Sequence, residues 1–374
     1  MHICMVVGEF PPYCGGVGYY VYNLSKKLIK MGHKITILTR GYWNHDCIKE
    51  DFENIRVYKL RFIPLYPYHI RIHHKFLQTK FKSLENEFDL VHFHNPLVPF
   101  IETKLPKLLT EHGTVKAPID NMESIGIHSF IYKLFSKELI NQDKNVIKNV
   151  DIISAVSKSC SNDMNKFYGI NKEIKIVYNG VDTEFFRPNE KSPNEIYILY
   201  TGRLYSGKGL MDLVNSAKFI CELYPHIKFV LVGDGPLKKY LMRKIFDLNL
   251  ENNFLFTGFL SRKDILKIYQ NASIYVLPSY SEGFPTTLLE SMSCGIASIS
   301  TDIGGCSELI ESGKNGILVP PKKPEILANV ILNLLEDENL MYQIGKNARE
   351  HIIKNFDWEI IASKFEKIYE NLIY

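Results

Sequence analysis

Apolar strand-like segments alternate with amphipathic helical segments along this 374-residue chain, and this alternation constrains its fold more than any other feature. Apolar strands separated by amphipathic helices are typical of parallel sheets that are covered by helices on both faces. The alternation recurs in both halves of the chain. It predicts an α/β protein made of two doubly wound, Rossmann-like domains. The segments predicted to be strands are, in order, "HICMVVG", "KITILT", "IRVYKL", "LVHFHN", "KLLTEHG", "DIISAVS", "IKIVYNG", "IYILYTG", "IKFVLVGDG", "NFLFTG", "SIYVLPS" and "IASISTD".

The chain is also too long for one ordinary domain. Residues 179–195 are rich in Pro, Asn and charged side chains, which indicates a linker. We therefore predict an N-terminal domain over 1–186 and a C-terminal domain over 187–357. The amphipathic segment 358–374 is expected to cross back and pack on the first domain.

Composition excludes several classes of protein. The seven cysteines are scattered and contain no CxxC pair, which indicates reduced thiols of a cytoplasmic protein and no zinc site. The net charge of +4 divides into +6 for residues 1–182 and −2 for the remainder, too little to indicate a nucleic-acid partner. No signal peptide and no apolar run of roughly 18 residues is found.

The segment "SEGFPTTLLE" joins a predicted strand to a predicted helix and carries two glutamates. Pro285 suits the first helical position. The N–H groups of Thr286, Thr287 and Leu288 would then be unpaired and would attract an anion. Glu282 precedes this helix and Glu290 lies inside it. Because carboxylates repel anions, the two glutamates are expected to bind a ligand that also has donors, and sugar hydroxyls are the obvious candidates.

The segment "TGRLYSGKG" supplies cations at another predicted strand end. Gly202, Gly207 and Lys208 satisfy the GxxxxGK pattern of a P-loop, but Gly209 stands where that loop needs Ser or Thr. Arg203 and Lys208 together would suit a diphosphate held without metal. A P-loop and a pair of solvated surface cations remain the alternatives.

Two further strand ends carry candidate residues. Gly15, Gly16 and Gly18 allow the backbone to approach a ligand closely, although a tight turn before a helix explains them as well. His112 in "EHG" follows a strand and has Gly113 beside it. A lone histidine at such a place is as often structural as functional.

Together these segments resemble the retaining glycosyltransferases of family 4, and the resemblance runs nearly from end to end. That family has the GT-B fold, in which two doubly wound Rossmann-like domains face each other across a cleft. The matching segments are "PPYCGGVGYYVYNLSKKLIKMGHKITILT", "LVHFHNP", "EHG", "VSKS", "YNGVD", "TGRLYSGKG", "LVGDGP", "SYSEGFPTTLLESMSCGIASIS" and "DIGGCSELIESGKNGILVP".

The resemblance implies a role for each of the four stretches. Arg203 and Lys208 match the basic pair that grips the donor diphosphate, and the Gly15–Gly16 loop matches the one that closes over those phosphates. Glu290 matches the glutamate that binds the ribose. Tyr13 and Cys14 flank the glycine loop and depart modestly from the family pattern.

The resemblance also assigns residues near the transferred sugar and the base. Glu282 matches the glutamate beside the donor sugar and His112 the histidine near it, so these two are the expected catalytic residues. Leu260 is expected to contact the base. The loop and helix start near the sugar and phosphates comprise Gly283, Phe284, Pro285, Thr286 and Thr287.

The expected activity is retaining transfer of a hexose or N-acetylhexosamine from a nucleotide sugar, UDP- or GDP-linked, to a glycan or lipid-linked acceptor. The chain contains no Asp-x-Asp pair, which disfavours a metal-dependent glycosyltransferase fold, and no cofactor is expected. A nucleotide-sugar epimerase of GT-B fold, a P-loop-like nucleotide-binding protein and a catalytically silent sugar-binding protein remain as alternatives.

Two features allow other interpretations. The stretch 54–84 contains seven Lys and Arg residues, many aromatic residues and no acid. It predicts attraction to the inner face of a membrane, with a solvated basic surface as an equal alternative. His92 and His94 alternate on one strand and could bind a metal with a third ligand, although a buried structural role is favoured.

Overall fold

The computed structural model describes residues 1–12, 15–65, 68–115, 135–189 and 196–373. Within them the chain forms two compact α/β units. The first unit contains the described residues up to Asn179 together with the helix that begins at Trp358, and the second is Gly180–Asp357. Residues 190–195 of the predicted linker lie outside the described residues, as do Tyr13 and Cys14.

The first unit ends before the predicted boundary at residue 186, and local hydrogen bonds explain the difference. The Val181 N–H donates to the Phe356 carbonyl at 2.8 Å, and the Thr183 hydroxyl donates to an Asp357 carboxylate oxygen at 2.5 Å. The Ser293 hydroxyl donates to the carbonyl of Phe186 at 2.6 Å. Residues 181–186 are therefore anchored to the second unit.

The first unit is built on an eight-stranded sheet with the order β3-β4-β2-β1-β5-β6-β7-β8. All neighbouring pairs are parallel except β3 with β4, which is antiparallel at the edge. The strands are β1 His2–Val7, β2 Lys34–Arg40, β3 Cys47–Phe52, β4 Ile55–Leu60, β5 Leu90–Asn95, β6 Lys107–Glu111, β7 Ile152–Ala155 and β8 Ile174–Ile176.

The described helices of the first unit cover this sheet. They are α1 Gly16–Lys30, α2 His69–Lys82, α3 Ser136–Asn149, α4 Lys158–Tyr168 and α12 Trp358–Ile373, with a 3-10 turn at Glu85–Glu87. Helix α4 shows how local sequence sets the ends: the Ser157 hydroxyl caps its start and Gly169, with φ +66°, ends it.

Helix α12 packs on α1 although the two are far apart in sequence. The Trp358 ring lies edge-on to Tyr20 with centroids 5.0 Å apart, and Lys27 pairs with Glu359 at 2.9 Å. The His33 ring contacts the Glu366 carboxylate at 3.0 Å. Because α12 also contributes buried apolar side chains to the core around β1 and β2, the first unit is not complete without it.

The second unit is a six-stranded parallel sheet with the order β11-β10-β9-β12-β13-β14. Its strands are β9 Tyr197–Thr201, β10 Lys228–Val232, β11 Phe254–Gly258, β12 Ile274–Leu277, β13 Ala297–Thr301 and β14 Ile317–Val319. Its helices are α5 Leu210–Leu223, α6 Lys238–Asp247, α7 Arg262–Asn271, α8 Thr286–Ser293, α9 Cys306–Leu309, α10 Pro324–Glu336 and α11 Glu338–Phe356. Two doubly wound α/β domains, as the sequence predicted, are confirmed.

Each sheet has a point where the strand order reverses, between β1 and β5 in the first unit and between β9 and β12 in the second. Ligands of doubly wound sheets bind outside the carboxyl ends of the strands at such points. Strands β9 and β12 pair only through Ile198 with Ile274 and Leu199 with Tyr275, near the start of each strand. Their carboxyl ends are not paired, which leaves room for the residues that follow.

Candidate functional site

The loop after β9 brings Lys208 to the carboxyl end of the second sheet. Lys208 closes the 3-10 turn Ser206–Lys208. The next residue, Gly209, has φ +62°, and a Cβ atom there would lie 1.8 Å from the carbonyl oxygen of Pro278, which follows β12. Only glycine fits this position. The packing of the loop therefore excludes the Ser or Thr that a P-loop would need after Lys208.

Lys208 and Glu282 form an ion pair between the ends of β9 and β12. The Lys208 Nζ lies 2.5 Å from Glu282 Oε1, and the Ser279 hydroxyl donates to the same oxygen at 2.6 Å. The two charged side chains are only 19% and 10% exposed. Burial by itself would lower the pKa of Lys208, but the charge of Glu282, its hydrogen bond and the neighbouring Tyr205 together outweigh burial and raise the pKa, so Lys208 stays charged at neutral pH. The sequence did not reveal the role of Ser279.

Arg203 adds a second cation at the same strand end. It follows β9 by two residues, and its side chain is exposed. Its backbone carbonyl accepts the Tyr200 hydroxyl at 3.1 Å, which ties the turn to the strand. The loop thus presents one half-buried ammonium and one exposed guanidinium, a combination suited to a phosphorylated ligand.

Helix α8 offers backbone donors at the end of β12. The sequence predicted Pro285 as the first helical residue. The helix begins one residue later, at Thr286, and Pro285 is its N-cap residue with extended backbone. Pro285 has no side-chain group that could cap this helix start. The N–H groups of its first turn, including those of Thr286 and Thr287, are therefore available to an anion and add a partial positive charge.

The close approach of Gly305 to Gly283 supports the loop before α8. The Gly305 N–H donates to the Glu282 carbonyl at 3.2 Å, and a Cβ atom on Gly305 would lie 2.1 Å from the Gly283 carbonyl oxygen. Phe284 is 4% exposed and packs on Phe356 with ring centroids 5.6 Å apart. The Phe284 side chain thus belongs to the core, and only the backbone atoms of Phe284 can face a ligand. The contribution of Gly305 was not expected from the sequence.

Glu290 is oriented by a buried tyrosine. The Tyr269 hydroxyl donates to Glu290 Oε2 at 2.9 Å and is also 2.6 Å from the Thr201 hydroxyl at the end of β9. Burial raises the pKa of Glu290 to about 7, although the Tyr269 hydrogen bond and the charge of Arg262 oppose that shift. This carboxyl can therefore gain or lose a proton near neutral pH.

Leu260 lies in the turn between β11 and α7. It is half-buried, and the neighbouring Phe259 is 82% exposed. The turn is fixed by Ser261, whose hydroxyl accepts the Asp264 N–H at 3.2 Å and caps α7. Strand β11 is at the sheet edge, two strands from β9, so Leu260 shares the carboxyl edge with Lys208 but not its loop.

His112 follows β6 in the first unit and is half-buried. Its Nε2 lies 3.3 Å from Nδ1 of His94, and its ring meets the Tyr20 ring edge-on at 4.4 Å. Burial lowers the pKa of His112 to about 3, so the imidazole is neutral at physiological pH. The next residue, Gly113, has φ +154°, and no described atom lies within 4 Å of the place where its Cβ would be.

Gly15 and Gly16 form the start of α1, at the end of β1. Gly15 is the N-cap residue, which has no side chain to cap the helix, and Gly16 is exposed. A Cβ atom on Gly15 would lie 2.8 Å from Glu9 Oε1. Glycine therefore lets the start of the helix lie close to the Glu9 carboxylate.

His92 has a structural role. Its Nδ1 lies 2.8 Å from the Tyr369 hydroxyl of α12 and its Nε2 lies 2.7 Å from the Thr110 hydroxyl, so both ring nitrogens have partners. Among the described residues no group of three or more His, Cys, Asp or Glu side chains could hold a metal ion. The metal interpretation of His92 and His94 therefore finds no support in the described part of the chain.

The basic stretch 54–84 is largely neutralised by carboxylates from outside it. Five of its seven cations form ion pairs, and Lys80 lies over the Tyr58 ring at 4.3 Å. The pairs are Arg56–Glu87, Lys59–Glu50, Arg61–Asp46, Arg71–Glu138 and Lys82–Glu85, with N–O distances between 2.6 and 2.9 Å. This favours the solvated-surface interpretation. Within the described ranges, no helix has the length and apolar character that a membrane crossing requires.

The two doubly wound units, with candidate residues at the carboxyl ends of their strands, define a GT-B glycosyltransferase fold. Solved structures share it. Sucrose-phosphate synthase from Thermosynechococcus elongatus superimposes with a TM-score of 0.86 at 22% identity, over 99% of this chain and 98% of that one. The Anabaena protein HepE, crystallised with UDP-glucose, superimposes with a TM-score of 0.77 at 21% identity over the whole of both chains.

The chain belongs to glycosyltransferase family 4. Residues 14–185 match the sequence model of Glycosyltransferase Family 4, and residues 181–351 match that of Glycosyl transferases group 1. An uncharacterised glycosyltransferase of Methanocaldococcus jannaschii is 28% identical over 98% of this chain and 97% of its own length. Membership confirms the resemblance found in the sequence and removes the reason to regard "GRLYSGKG" as a P-loop.

Proposed function

We propose that this protein is a retaining glycosyltransferase that moves a hexose or N-acetylhexosamine from a UDP- or GDP-sugar to a glycan or lipid-linked acceptor. The observation that carries the proposal is the ion pair of Lys208 with Glu282 at the switch point of the second sheet, beside the uncapped start of α8. A charged lysine, helix N–H groups and a carboxylate meet there, and a nucleotide sugar needs all three.

The donor diphosphate would be held by Lys208, Arg203 and the first turn of α8. When the bond between sugar and phosphate breaks, negative charge grows on the departing nucleoside diphosphate. Two cations and fixed backbone dipoles stabilise that charge without reorganising, and such preorganised electrostatic stabilisation is the largest single contribution in many enzymes. We expect no metal and no cofactor, because these groups supply the positive charge.

The pairing seen without donor would change when the diphosphate arrives. Lys208 exchanges the Glu282 carboxylate for phosphate oxygens, and Glu282 becomes free to accept hydroxyl groups of the sugar while Ser279 holds its other contact. Glu290, oriented by Tyr269, would accept the ribose hydroxyls. The base would lie toward Leu260, at the far end of the same sheet edge.

Transfer would proceed on one face of the sugar. The acceptor hydroxyl oxygen bonds to the anomeric carbon, the bond from that carbon to the phosphate oxygen breaks, and the acceptor proton passes to a phosphate oxygen of the leaving group. This path keeps the anomeric configuration and needs no protein nucleophile. Glu282, still held by Ser279, and neutral His112 would then contact the sugar without forming a covalent bond to it.

Isothermal titration calorimetry with UDP, GDP and their glucose, mannose and N-acetylglucosamine derivatives tests the donor. We expect one nucleotide series to bind in the presence of EDTA, and ATP with magnesium not to compete. The HepE complex makes UDP-glucose the first donor to try. Absence of binding by every nucleotide sugar would refute the proposal.

Product analysis separates the alternatives. An epimerase of the same fold would release a changed sugar from the donor without any acceptor, whereas a transferase would form product only when an acceptor is added. A silent binding protein would bind donor and yield neither. Proton NMR of the first transferred glycoside should show the anomeric configuration of the donor, and inversion would contradict the retaining assignment.

We propose only weak attraction of the stretch 54–84 to the inner membrane surface. Five of its cations are already paired, which leaves exposed Lys75, Leu65 and Tyr68 as the contacts most able to reach a lipid surface. Sedimentation with phosphatidylglycerol vesicles at low and physiological salt tests it. Binding that survives physiological salt and is lost in the Lys75→Glu variant would support a peripheral location.

A further inference from the structure

Three histidines, His92 and His94 on β5 and His112 after β6, have rings that lie close together, and only for His92 do hydrogen bonds account for both ring nitrogens. His92 and His94 are fully buried, with ring centroids 4.0 Å apart. His92 has partners on both nitrogens. His94 contacts His112 through Nδ1 at 3.3 Å, whereas its Nε2 is buried and has no hydrogen-bond partner among the described residues.

All three rings are neutral at physiological pH. Burial lowers the pKa of each, and the neighbouring imidazoles lower that of His94 further. A neutral imidazole carries a single N–H, on one nitrogen or the other. The hydrogen bond between His94 and His112 must therefore be made by one N–H and one lone pair, and its direction decides where each proton sits.

The unpaired nitrogen of His94 decides that direction. If the His94 proton were on Nε2, a buried N–H would have no acceptor among the described residues. Buried donors without a partner are rarer and costlier than buried lone pairs without one. The proton of His94 is therefore on Nδ1, and it is donated to the Nε2 lone pair of His112.

It follows that the single N–H of His112 is on Nδ1. No described residue makes a hydrogen bond to that nitrogen, and His112 is half-buried. An N–H in such a position suits an oxygen acceptor, such as a hydroxyl or ring oxygen of a sugar. Because Nδ1 of His112 already carries a proton, it could not act as a base toward the ligand.

We propose that His94 is a positioning residue that fixes neutral His112 with its proton on Nδ1, so that His112 presents a hydrogen-bond donor to the transferred sugar. The part of this inference that concerns the sugar rests on the proposed function. The assignment of the tautomer does not, since it follows from the hydrogen bonds of the protein itself.

The tautomer is measured directly by two-bond ¹H–¹⁵N correlation spectra of protein labelled with ¹⁵N-histidine, with the His112 signals identified from the His112→Gln variant. We expect Nδ1 of His112 to be protonated and Nε2 to be unprotonated. His94→Leu should release this preference, whereas His94→Asn, whose amide can donate from a similar place, should keep it. Finding His112 protonated on Nε2 in the wild type, or unchanged in His94→Leu, would overturn the proposal.

His92→Asn is the matched control, because His92 lies on the same strand and is equally buried but bonds to Thr110 and Tyr369. It should lower thermal stability and leave the His112 tautomer unchanged. If His92→Asn shifts the tautomer as much as His94→Leu does, general disturbance of the strand is the cause and the proposal is wrong.

Kinetics then tests the sugar contact. With a working donor and acceptor, His94→Leu should lower kcat by about tenfold, the value of one well-placed neutral hydrogen bond, with little change in the KM for donor. His94→Asn should recover most of the loss. An altered tautomer with unchanged kcat would refute the positioning role, while absence of transfer in the wild type would refute the proposed function and leave the tautomer result intact.

Discussion

The carboxyl edges of the two sheets present opposite kinds of chemistry. In the second unit, ionised side chains meet there: Lys208 is charged and paired with Glu282, and Arg203 is exposed. In the first unit, His94 and His112 are neutral and share one hydrogen bond. A charged edge can stabilise a charged leaving group, whereas a neutral edge can orient an uncharged sugar. If the proposed function is correct, the charged edge would serve the leaving group and the neutral edge the sugar.

The largest expected effect concerns the charged edge. Lys208→Ala should lower the transfer rate by roughly 100- to 1,000-fold, the usual cost of one donor to a developing anion, and should weaken nucleoside diphosphate binding. Lys238→Ala is the matched control, because Lys238 also pairs with a carboxylate of the second unit, Asp234, at 3.4 Å. Steady-state kinetics on folded variants decides. Equal rates for the Lys208 variant and the control would contradict the role of Lys208.

The two glutamates should separate nucleotide binding from sugar handling. Glu290→Gln should weaken the free nucleoside diphosphate and the nucleotide sugar by a similar factor, about tenfold, because an amide loses the charge that strengthens hydrogen bonds to ribose. Glu282→Gln frees Lys208 from its partner, so nucleoside diphosphate should bind as well as before or better while turnover falls. Calorimetry on both variants tests this. Weaker nucleoside diphosphate binding in Glu282→Gln would show that Glu282, like Glu290, contributes to nucleotide binding, and would contradict the separate roles.

A smaller effect tests whether two buried carboxyl groups of the first unit, Glu111 and Asp143, are uncharged in the native state. Burial raises the pKa of Glu111, with a contribution from the charge of Asp143, and burial raises the pKa of Asp143 to about 7. The native state thus holds protons that the unfolded chain releases above about pH 4. Between about pH 4 and 7, each of these two carboxyls therefore lowers the stability of the first unit as pH rises, by up to about 1.4 kcal/mol per pH unit, while the buried neutral histidines act in the opposite direction. Asp143→Asn removes one of the two carboxyls, so the stability of this variant should change with pH with a more positive slope than that of the wild type.

Tryptophan fluorescence during urea unfolding reports on this unit, because Trp43 and Trp358 both belong to it. Glu290→Gln removes a carboxyl of raised pKa from the other unit and serves as the control. An identical pH slope in wild type and Asp143→Asn would show that Asp143 holds no extra proton in the native state.

Removal of divalent metal ions is expected to have no effect on the transfer rate. If Lys208, Arg203 and α8 neutralise the leaving group, excess EDTA should leave the transfer rate within experimental error. Activity abolished by EDTA and restored by manganese or magnesium would mean that the charged edge is incomplete by itself, and the comparison between the two edges would have to include a bound cation.

The sequence predicted most of the fold because a buried parallel strand is a continuous apolar run. All twelve segments read as strands are strands in the structure. Two strands were missed for physical reasons. Cys47–Phe52 is an antiparallel edge strand whose polar residues alternate in exposure, and Ile317–Val319 has only three residues. Neither contains the apolar run that marks a buried strand.

The candidate site divides in the same way. Arg203, Lys208 and Glu282 could be singled out because each lies in a glycine-rich or proline-containing turn beside a strand, and Glu290 because it lies in the helix that follows one of these turns. The contacts of Tyr269, Ser279 and His94 could not be predicted, because only tertiary packing creates them. Phe284 shows the converse: it lies in the segment that carries the resemblance, but its side chain is in the core.

The position of helix α12 at the end of the described chain has a consequence for folding during translation. Six of its residues belong to the core of the first unit, and Tyr369 also supplies the hydrogen-bond partner of buried His92. The residues that α12 covers on α1 are synthesised before Gly180–Asp357, and α12 only afterwards. During translation, the apolar surface of the first unit that α12 covers therefore stays exposed while the second unit is synthesised. A chaperone that binds exposed apolar surface is expected to bind the nascent chain in that interval.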